Sequence, residues 1–521
     1  MPKVWRDLLI AISLSNLCFL WAWETLANPA YYSFYFIKGS GSITEPIALV
    51  LDVLILAALF GGLVQLARRS KYRLPLIMAR WIFLLLLAVP VYTILHKREA
   101  QSVRGEFDLP GWALIATAAC GILLLMVAYR WRRHAMKVAV TCVLILSPLI
   151  VVNFGNSAWL LHKHGQTLRN ANYIKPSQAP SNSGQKHIVW IVFDELDQRV
   201  TFGQRPAGLS LPELDRLRGE SFYAPKAYPP AGYTLHSMPA LITGRSVATS
   251  TPLSPNELAL TFEDQKVANW STVKNVFSDA RESGFSAAVA GWYHPYCRVI
   301  GASLDFCTWY PLAERPQNQG SAFSVLIQNM VFWVRHSFYR IPLNVVRRAR
   351  NSHQIIQHHS AYRGISTDGF NLATDLNWNL VMIHFPIPHA PFMYDSKARQ
   401  FSRLGDRTYY DNLAFVDDTL GQIRRAMESA QVWEKSTVLI TSDHAWRERP
   451  NGTVEPDHRV PFILKLPGRP QPMVYERPFR TLVTRDLLIN ILRGDLMQVE
   501  EVKAWLDQQP EVSVDPRVIL P

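Results

Sequence analysis

Five short segments of this 521-residue chain set oxygen and nitrogen donors where they could act together. Ile191-Val-Phe-Asp194-Glu195 ends an apolar run on a carboxylate, which suits a metal ligand or the cap of a following helix. Thr437-Val-Leu-Ile-Thr441-Ser442-Asp443-His444 delivers a carboxylate and an imidazole side by side. Mixed oxygen and nitrogen donors suit zinc or manganese better than magnesium or calcium. The plainer reading is a capping Asp beside a surface His. His384-Phe-Pro386-Ile-Pro388-His389-Ala-Pro391 sets two imidazoles on a chain stiffened by proline, and Asp457-His458-Arg459 adds a third.

The fifth segment runs Ala231-Gly232-Tyr233-Thr234-Leu-His-Ser237-Met-Pro239 and closes on Thr243-Gly244-Arg245. A small, Gly-containing turn entering a helix presents a hydroxyl at the helix N-terminus, where free N–H groups favour anionic oxygen. Thr234 is therefore either a nucleophile or a simple N-cap, and the segment alone is compatible with both.

Such groups need a scaffold that brings distant segments together. Short β-rich apolar runs at 188–193, 286–290, 380–384 and 437–440 each end at polar residues, with helical stretches at 272–283 and 409–430 between them. That alternation predicts a mostly parallel sheet with helices on both faces. In such sheets a site forms beyond the carboxyl ends of the strands, where these acids and histidines fall.

The first part of the chain is different. Apolar stretches at 8–26, 46–66, 74–95, 111–129 and 138–154 approach the ~20 residues that cross ~30 Å of hydrocarbon as helix. No small-residue cleavage site follows the first, which reads as an anchor. Arg68, Arg69, Lys71 and Arg73 join the second and third; Arg130, Arg132, Arg133 and Lys137 join the fourth and fifth. Neither loop carries an acid, so the positive-inside rule puts the N-terminus in the cytoplasm and everything after the fifth span outside. The net charge of +13 is mainly this topology signal, and no nucleic-acid partner is expected. The expected order is a five-helix transmembrane domain at 1–155, a polar linker at 156–186 and an extracytoplasmic α/β domain at 187–521. Of five cysteines, Cys18, Cys120 and Cys142 sit in apolar runs as small packing residues. Cys297 and Cys307 are either a disulfide, if that half meets an oxidising compartment, or two buried thiols.

Taken together, the segments over residues 186–495 resemble the sulfatase-like branch of the alkaline phosphatase superfamily. Sulfatases carry Cys/Ser-x-Pro-Ser-Arg followed by Leu-Thr-Gly-Arg. Here Thr234 stands in the Cys position, Ser237 matches the Ser, and Ile242-Thr243-Gly244-Arg245 matches the tail, while Met238 replaces the Arg. Thr cannot become formylglycine, which argues against arylsulfatase chemistry. The membrane phosphoethanolamine transferases and lipoteichoic acid synthases look closer, with five helices before an external domain and a Thr nucleophile. That resemblance implies one divalent metal, zinc or manganese, held by Asp194, Thr234, Asp443 and His444. Those families usually show Glu where this chain has Asp194. His389 looks like their substrate-contacting His; His458 and the Gly291-Trp-Tyr-His294 stretch match more loosely.

The implied activity is transfer of a phosphoethanolamine- or phosphoglycerol-like headgroup from a lipid donor to an envelope lipid or glycan through covalent Thr234. His389 and His458 would serve the phosphoryl oxygens or the leaving alkoxide. The implied location is a bacterial inner membrane with the catalytic domain in the periplasm. A membrane-anchored phosphodiesterase using water, and a non-catalytic envelope protein on the same fold, are the competing readings.

Overall fold

The computed structural model describes residues 3–27, 34–38, 41–72, 74–102, 132–170, 173–174, 186–314, 320–338, 344–403, 405–447 and 458–510. The chain forms two compact units that interleave in sequence. One holds Met1–Asn28, Ser40–Gln166 and Arg315–Arg347; the other holds Pro29–Gly39, Thr167–Glu314 and Arg348–Pro521.

The second unit is built on a nine-stranded sheet. Its strands, in chain order, are β1 Tyr173–Ile174, β2 His187–Asp194, β3 Phe222–Tyr223, β4 Ala287–Trp292, β5 Phe306–Tyr310, β6 Leu380–Pro388, β7 Ser436–Ser442, β8 Ile463–Lys465 and β9 Met473–Val474. Across the sheet they lie in the order β9-β3-β8-β7-β2-β6-β4-β5-β1. The five central strands, β7-β2-β6-β4-β5, pair in parallel, as their alternation with helices predicts. Antiparallel pairs enter at the flanks, through β8 and β1.

The residues of β2 show why this strand is central. Ile188, Trp190 and Val192 face one core, with Leu241, Phe277 and Leu488. Val189, Ile191 and Phe193 face the other, with Ile365, Leu413, Val416 and Leu420. Side chains alternate across a strand, so one unbroken apolar run can satisfy two covered faces. All six are buried, and a side chain of this kind contributes ~1.5–3 kcal/mol on full burial. Register then aligns the strand ends: Phe193 stands beside Ser442, and Pro388 beside Asp194.

In the first unit, α1 Lys3–Cys18, α2 Leu20–Ala27, α3 Thr44–Arg69, α4 Leu74–Ser102, α5 Arg132–Ile145 and α6 Leu149–Asn170 are helices. Ala11, Leu14, Ala57, Phe60, Phe83 and Val143 pack between them, while Leu59, Leu66, Leu85, Val151 and Val152 face outward. Apolar residues on both inner and outer faces fit a lipid surround rather than water. Arg68 meets Asp7 at 2.5 Å, so the start of α1 and the end of α3 share one end of the bundle.

Two helices among the described residues are long and apolar enough to cross a membrane, Thr44–Arg69 and Met136–Gly165. The first expected span is a pair of helices bent by 63°, a third span if the pair counts as one. The third expected span lies within α4, and the fourth, at 111–129, lies outside the described residues. Two expectations about the chain's course change. The helix carrying the fifth stretch continues to Asn170, into the expected linker, because Leu160 and Leu161 still find buried positions. Ala322–Phe338 forms a helix of the first unit, although it lies in sequence inside the expected external domain. Phe338 packs edge-on against Phe19, and His336 Nε2 lies 3.0 Å from Thr25 Oγ1.

Candidate metal centre

Two strand ends and one helix start supply the floor of the site. Asp194 is the last residue of β2, and Asp443 and His444 follow β7 directly. Asp194, Asp443 and His444 present ligand atoms all within 4.8 Å of one another, each at most 1% exposed. Thr234 opens the helix Thr234–Thr243, its Oγ1 3.4 Å from Asp194 Oδ2 and 3.2 Å from His444 Nε2.

Backbone bonds decide which atoms remain available. Asp443 Oδ1 accepts from the amides of His444 at 2.9 Å and Glu195 at 3.2 Å, leaving Oδ2 without a partner among the described residues. Asp194 Oδ1 is likewise unpartnered. His444 Nδ1 donates to the Ala445 carbonyl at 2.9 Å, which fixes the tautomer and turns the Nε2 lone pair inward. Ser237 Oγ donates to the Asp443 carbonyl, tying the helix that carries Thr234 to the end of β7.

The geometry speaks against Thr234 as a simple N-cap. The N-cap of its helix is Tyr233, and Thr234 Oγ1 turns to Asp194 and His444 rather than to a backbone amide. At the other end Gly244 caps the helix at φ 68°, where a Cβ would also meet Arg485 Cδ at 2.8 Å. The Thr243-Gly244 pair is thus a helix stop.

Burial, and the Asp443 charge beside it, push the Asp194 carboxyl well above the usual carboxylate range. Burial acts on Asp443 too, but His444 and His384 hold it below that range. Two buried carboxylates with unsatisfied oxygens, next to an imidazole lone pair, form a donor set that a divalent cation would satisfy.

Around this floor lies a more open rim. His389 is half-buried, and its amide donates to the Asp194 carbonyl at 3.1 Å. Its Nδ1 donates to the Ala390 carbonyl, so Nε2 accepts from Arg447 Nη2 at 3.3 Å. Arg447 Nε also pairs with Glu195 at 2.8 Å, and its guanidinium lies 4.9 Å from the exposed Tyr233 ring. Glu195 reaches this position through a left-handed φ of 67°, a conformation that side chains other than Gly adopt at a cost and that clusters at functional sites. Burial lowers the His389 pKa, Glu195 partly opposing and Arg447 adding to the effect.

His458 does not join the floor cluster. It is half-buried just ahead of Val460, which bridges to Ala227. His384 is fully buried, with Nδ1 2.9 Å from Tyr296 Oη and a pKa pushed down to about 4 by burial. Gly291 makes that contact possible, since a Cβ there would stand 2.6 Å from the Tyr296 ring. Cys297 and Cys307 are bonded to each other beside these aromatic residues. Sequence reasoning missed Glu195 and Arg447; the available signal was their adjacency to Asp194 and to the exit of β7.

Residues 352–488 match the Sulfatase family, roughly a quarter of the chain. Comparison with curated proteins finds no match. Similar solved structures include a phosphonate monoester hydrolase of Agrobacterium radiobacter, 15% identical, with a TM-score of 0.38, covering 59% of this chain and 74% of that one. A protein in the alkaline phosphatase superfamily from Vibrio parahaemolyticus is 15% identical, with a TM-score of 0.37, covering 59% and 66%. A putative sulfatase from Bacteroides thetaiotaomicron is 16% identical, with a TM-score of 0.38, covering 64% and 75%. The family match falls on β6 and β7, the strands that deliver His389, Asp443 and His444.

Proposed function

We propose that this chain is a membrane-anchored, metal-dependent transferase that moves a phosphoryl headgroup from a lipid donor to an envelope lipid or glycan through Thr234. The observation that carries this reading is the hydroxyl of Thr234, buried at a helix start within 3.5 Å of a carboxylate and an imidazole whose own bonds leave room for a cation. Asp194, Thr234, Asp443 and His444 would hold the divalent ion, zinc or manganese by donor type. When bound, it supplies positive charge that lowers the pKa of a coordinated hydroxyl and polarises a phosphoryl oxygen.

The chain's own groups do the rest. Thr234 Oγ loses its proton, Asp194 Oδ2 being the carboxylate oxygen already beside it, and bonds to phosphorus as the donor alkoxide leaves. The proton passes to the leaving alkoxide; an acceptor hydroxyl then attacks the same phosphorus, its proton returning to the Thr234 oxygen as that oxygen departs. Arg447 binds the phosphoryl oxygens through the donors that its bonds to Glu195 and His389 leave over. His389 rests neutral, so it serves as an acid only after an anion beside it has raised its pKa. His458 takes a supporting role in substrate contact. The apolar outer faces of the helices in the first unit support a membrane anchor, and the Arg68–Asp7 pair supports the start of α1 and the end of α3 lying on one side of it; five spans in an inner membrane, with the sheet domain in the periplasm, follow from the loop charges.

The test is Thr234→Ala in the full chain. The variant should fold and retain metal by elemental analysis, yet release no headgroup from phosphatidylethanolamine or phosphatidylglycerol. Intact-mass spectrometry of the wild type should find the headgroup adduct on Thr234, and product analysis separates transfer from hydrolysis. Full turnover by Thr234→Ala with metal unchanged would end the nucleophile assignment. A wild type active without metal would end the mechanism.

A further inference from the structure

One buried imidazole at the nucleophile has no part in the steps above. His294 is fully buried, with Nε2 3.0 Å from the carbonyl oxygen of Thr234 and Nδ1 3.0 Å from Tyr35 Oη. A carbonyl oxygen only accepts, so Nε2 carries the proton and donates to it. Nδ1 is then an acceptor, and the Tyr35 hydroxyl donates to that nitrogen. The tyrosine selects the tautomer that holds Thr234.

Tyr35 stands 259 residues before His294. It belongs to residues 34–38, between α2 and α3 in sequence, yet this segment groups with the sheet unit. Its attachment there is specific. Arg298 Nη1 donates to the Phe34 carbonyl at 3.0 Å and, more loosely, to that of Ile37. Ile37–Lys38 pairs in parallel with Ala313–Glu314, and the Phe36 ring lies 4.7 Å from Tyr293. Arg298 is itself held over the Trp309 ring at 4.5 Å, on a helical turn that the Cys297–Cys307 bond ties to β5. Phe34, Tyr35 and Phe36 are each at most 1% exposed. A connection between two helices has thus placed a phenol, through one imidazole, on the first residue of the nucleophile helix.

We propose that Tyr35 is a positioning residue for Thr234, acting through His294. The bond from His294 to the Thr234 carbonyl restrains the backbone at the residue whose Oγ must face Asp194 and His444. Without the tyrosine hydroxyl, Nδ1 loses its donor and the other tautomer becomes accessible. That tautomer sets a nitrogen lone pair against the Thr234 carbonyl and drives the residue away. The inference rests on Thr234 being the nucleophile.

The test uses the full chain in detergent, with bis-para-nitrophenyl phosphate as probe and headgroup release from phosphatidylethanolamine vesicles as a second readout. Tyr35→Phe should lower kcat by ~10–100-fold, the loss typical of slight misplacement of a reacting group, with KM within about twofold. Metal content and thermal midpoint should match the wild type. In a His294→Gln background the amide donates to Thr234 without help from Tyr35, so adding Tyr35→Phe should change nothing further. Wild-type kcat in Tyr35→Phe, or the same loss in both backgrounds, overturns the proposal. So does an equal loss of kcat in Phe36→Leu, which loosens the segment but leaves the phenol in place. Should Tyr35→Phe not fold, His294→Phe carries the test, and wild-type kcat in that folded protein overturns it. Turnover by Thr234→Ala would instead remove the nucleophile reading, and this inference with it.

Discussion

Asp194, Asp443 and His444 at the floor of the site and Glu195, His389 and Arg447 at its rim are chain neighbours and hydrogen-bond neighbours, yet their surroundings differ sharply. The floor residues are at most 1% exposed, and backbone amides and carbonyls fix the orientation of Asp443 and His444. At the rim, Arg447 is 38% exposed, His389 is half-buried, and they hold each other through side chains. A floor of this kind is sensitive to any change of charge, because its crowded, buried carboxylates are relieved only by a cation or a proton. The rim can exchange its internal bonds for bonds to an incoming anion. Under the proposed function, chemistry falls to the part without freedom and substrate capture to the part that keeps some.

The largest effect should come from breaking the floor. Asp443→Asn keeps the shape but removes the charge; metal content by elemental analysis should fall together with turnover. A loss of about 10²–10³-fold is expected, the range for removing one preorganised electrostatic group. If turnover fell while metal stayed, floor and rim would not be separate in function. Next, Arg447→Lys keeps a charge against Glu195 but loses the guanidinium fork. KM for a phosphodiester should rise by about tenfold, with metal content and kcat little changed, measured by steady-state kinetics and elemental analysis. Loss of metal in this variant would tie the rim to the floor.

The smallest effect concerns His358, packed behind the rim with Nε2 2.7 Å from the Pro386 carbonyl and its ring 6.3 Å from that of His389. Burial, and then His389, push its pKa down to about 3. An unfolded His titrates near 6.5, so between about 6.5 and 3 the unfolded chain binds the extra proton. This contribution to stability is therefore intact above about 6.5 and is lost as pH falls toward 3. The thermal midpoint should drop by several degrees across that window, and His358→Gln should flatten the slope. An unchanged slope in His358→Gln would mean that the ring is not held neutral by the packing behind the rim.

Much of the floor is legible in the chain because each residue sits at the end of a locally marked strand. Asp194 closes Ile188–Phe193, and Asp443 and His444 follow Thr437–Ser442; a run of β-branched residues and a polar stop are local facts. His389 has a similar marker in its prolines. His458 has none beyond its type, and the structure leaves it outside the cluster. Arg447 and Glu195 escape sequence reading because a salt bridge between strand exits has no periodicity.

Sequence alone therefore determines the two kinds of surroundings the chain requires: outward-facing apolar helices for the first unit, and strands apolar on both faces for the second. Side-chain period and apolar run length act within a few residues, so they survive without a partner. Tertiary structure alone decides that Tyr233 caps the helix and releases Thr234, because only the proximity of Asp194 and His444 gives that hydroxyl another direction. It also decides that residues 34–38 join the sheet unit and that Ala322–Phe338 leaves it. Those assignments depend on contacts hundreds of residues apart, Tyr35 with His294 and Thr25 with His336 among them. No local pattern encodes them, because the free energy that selects them appears only when both surfaces are already folded.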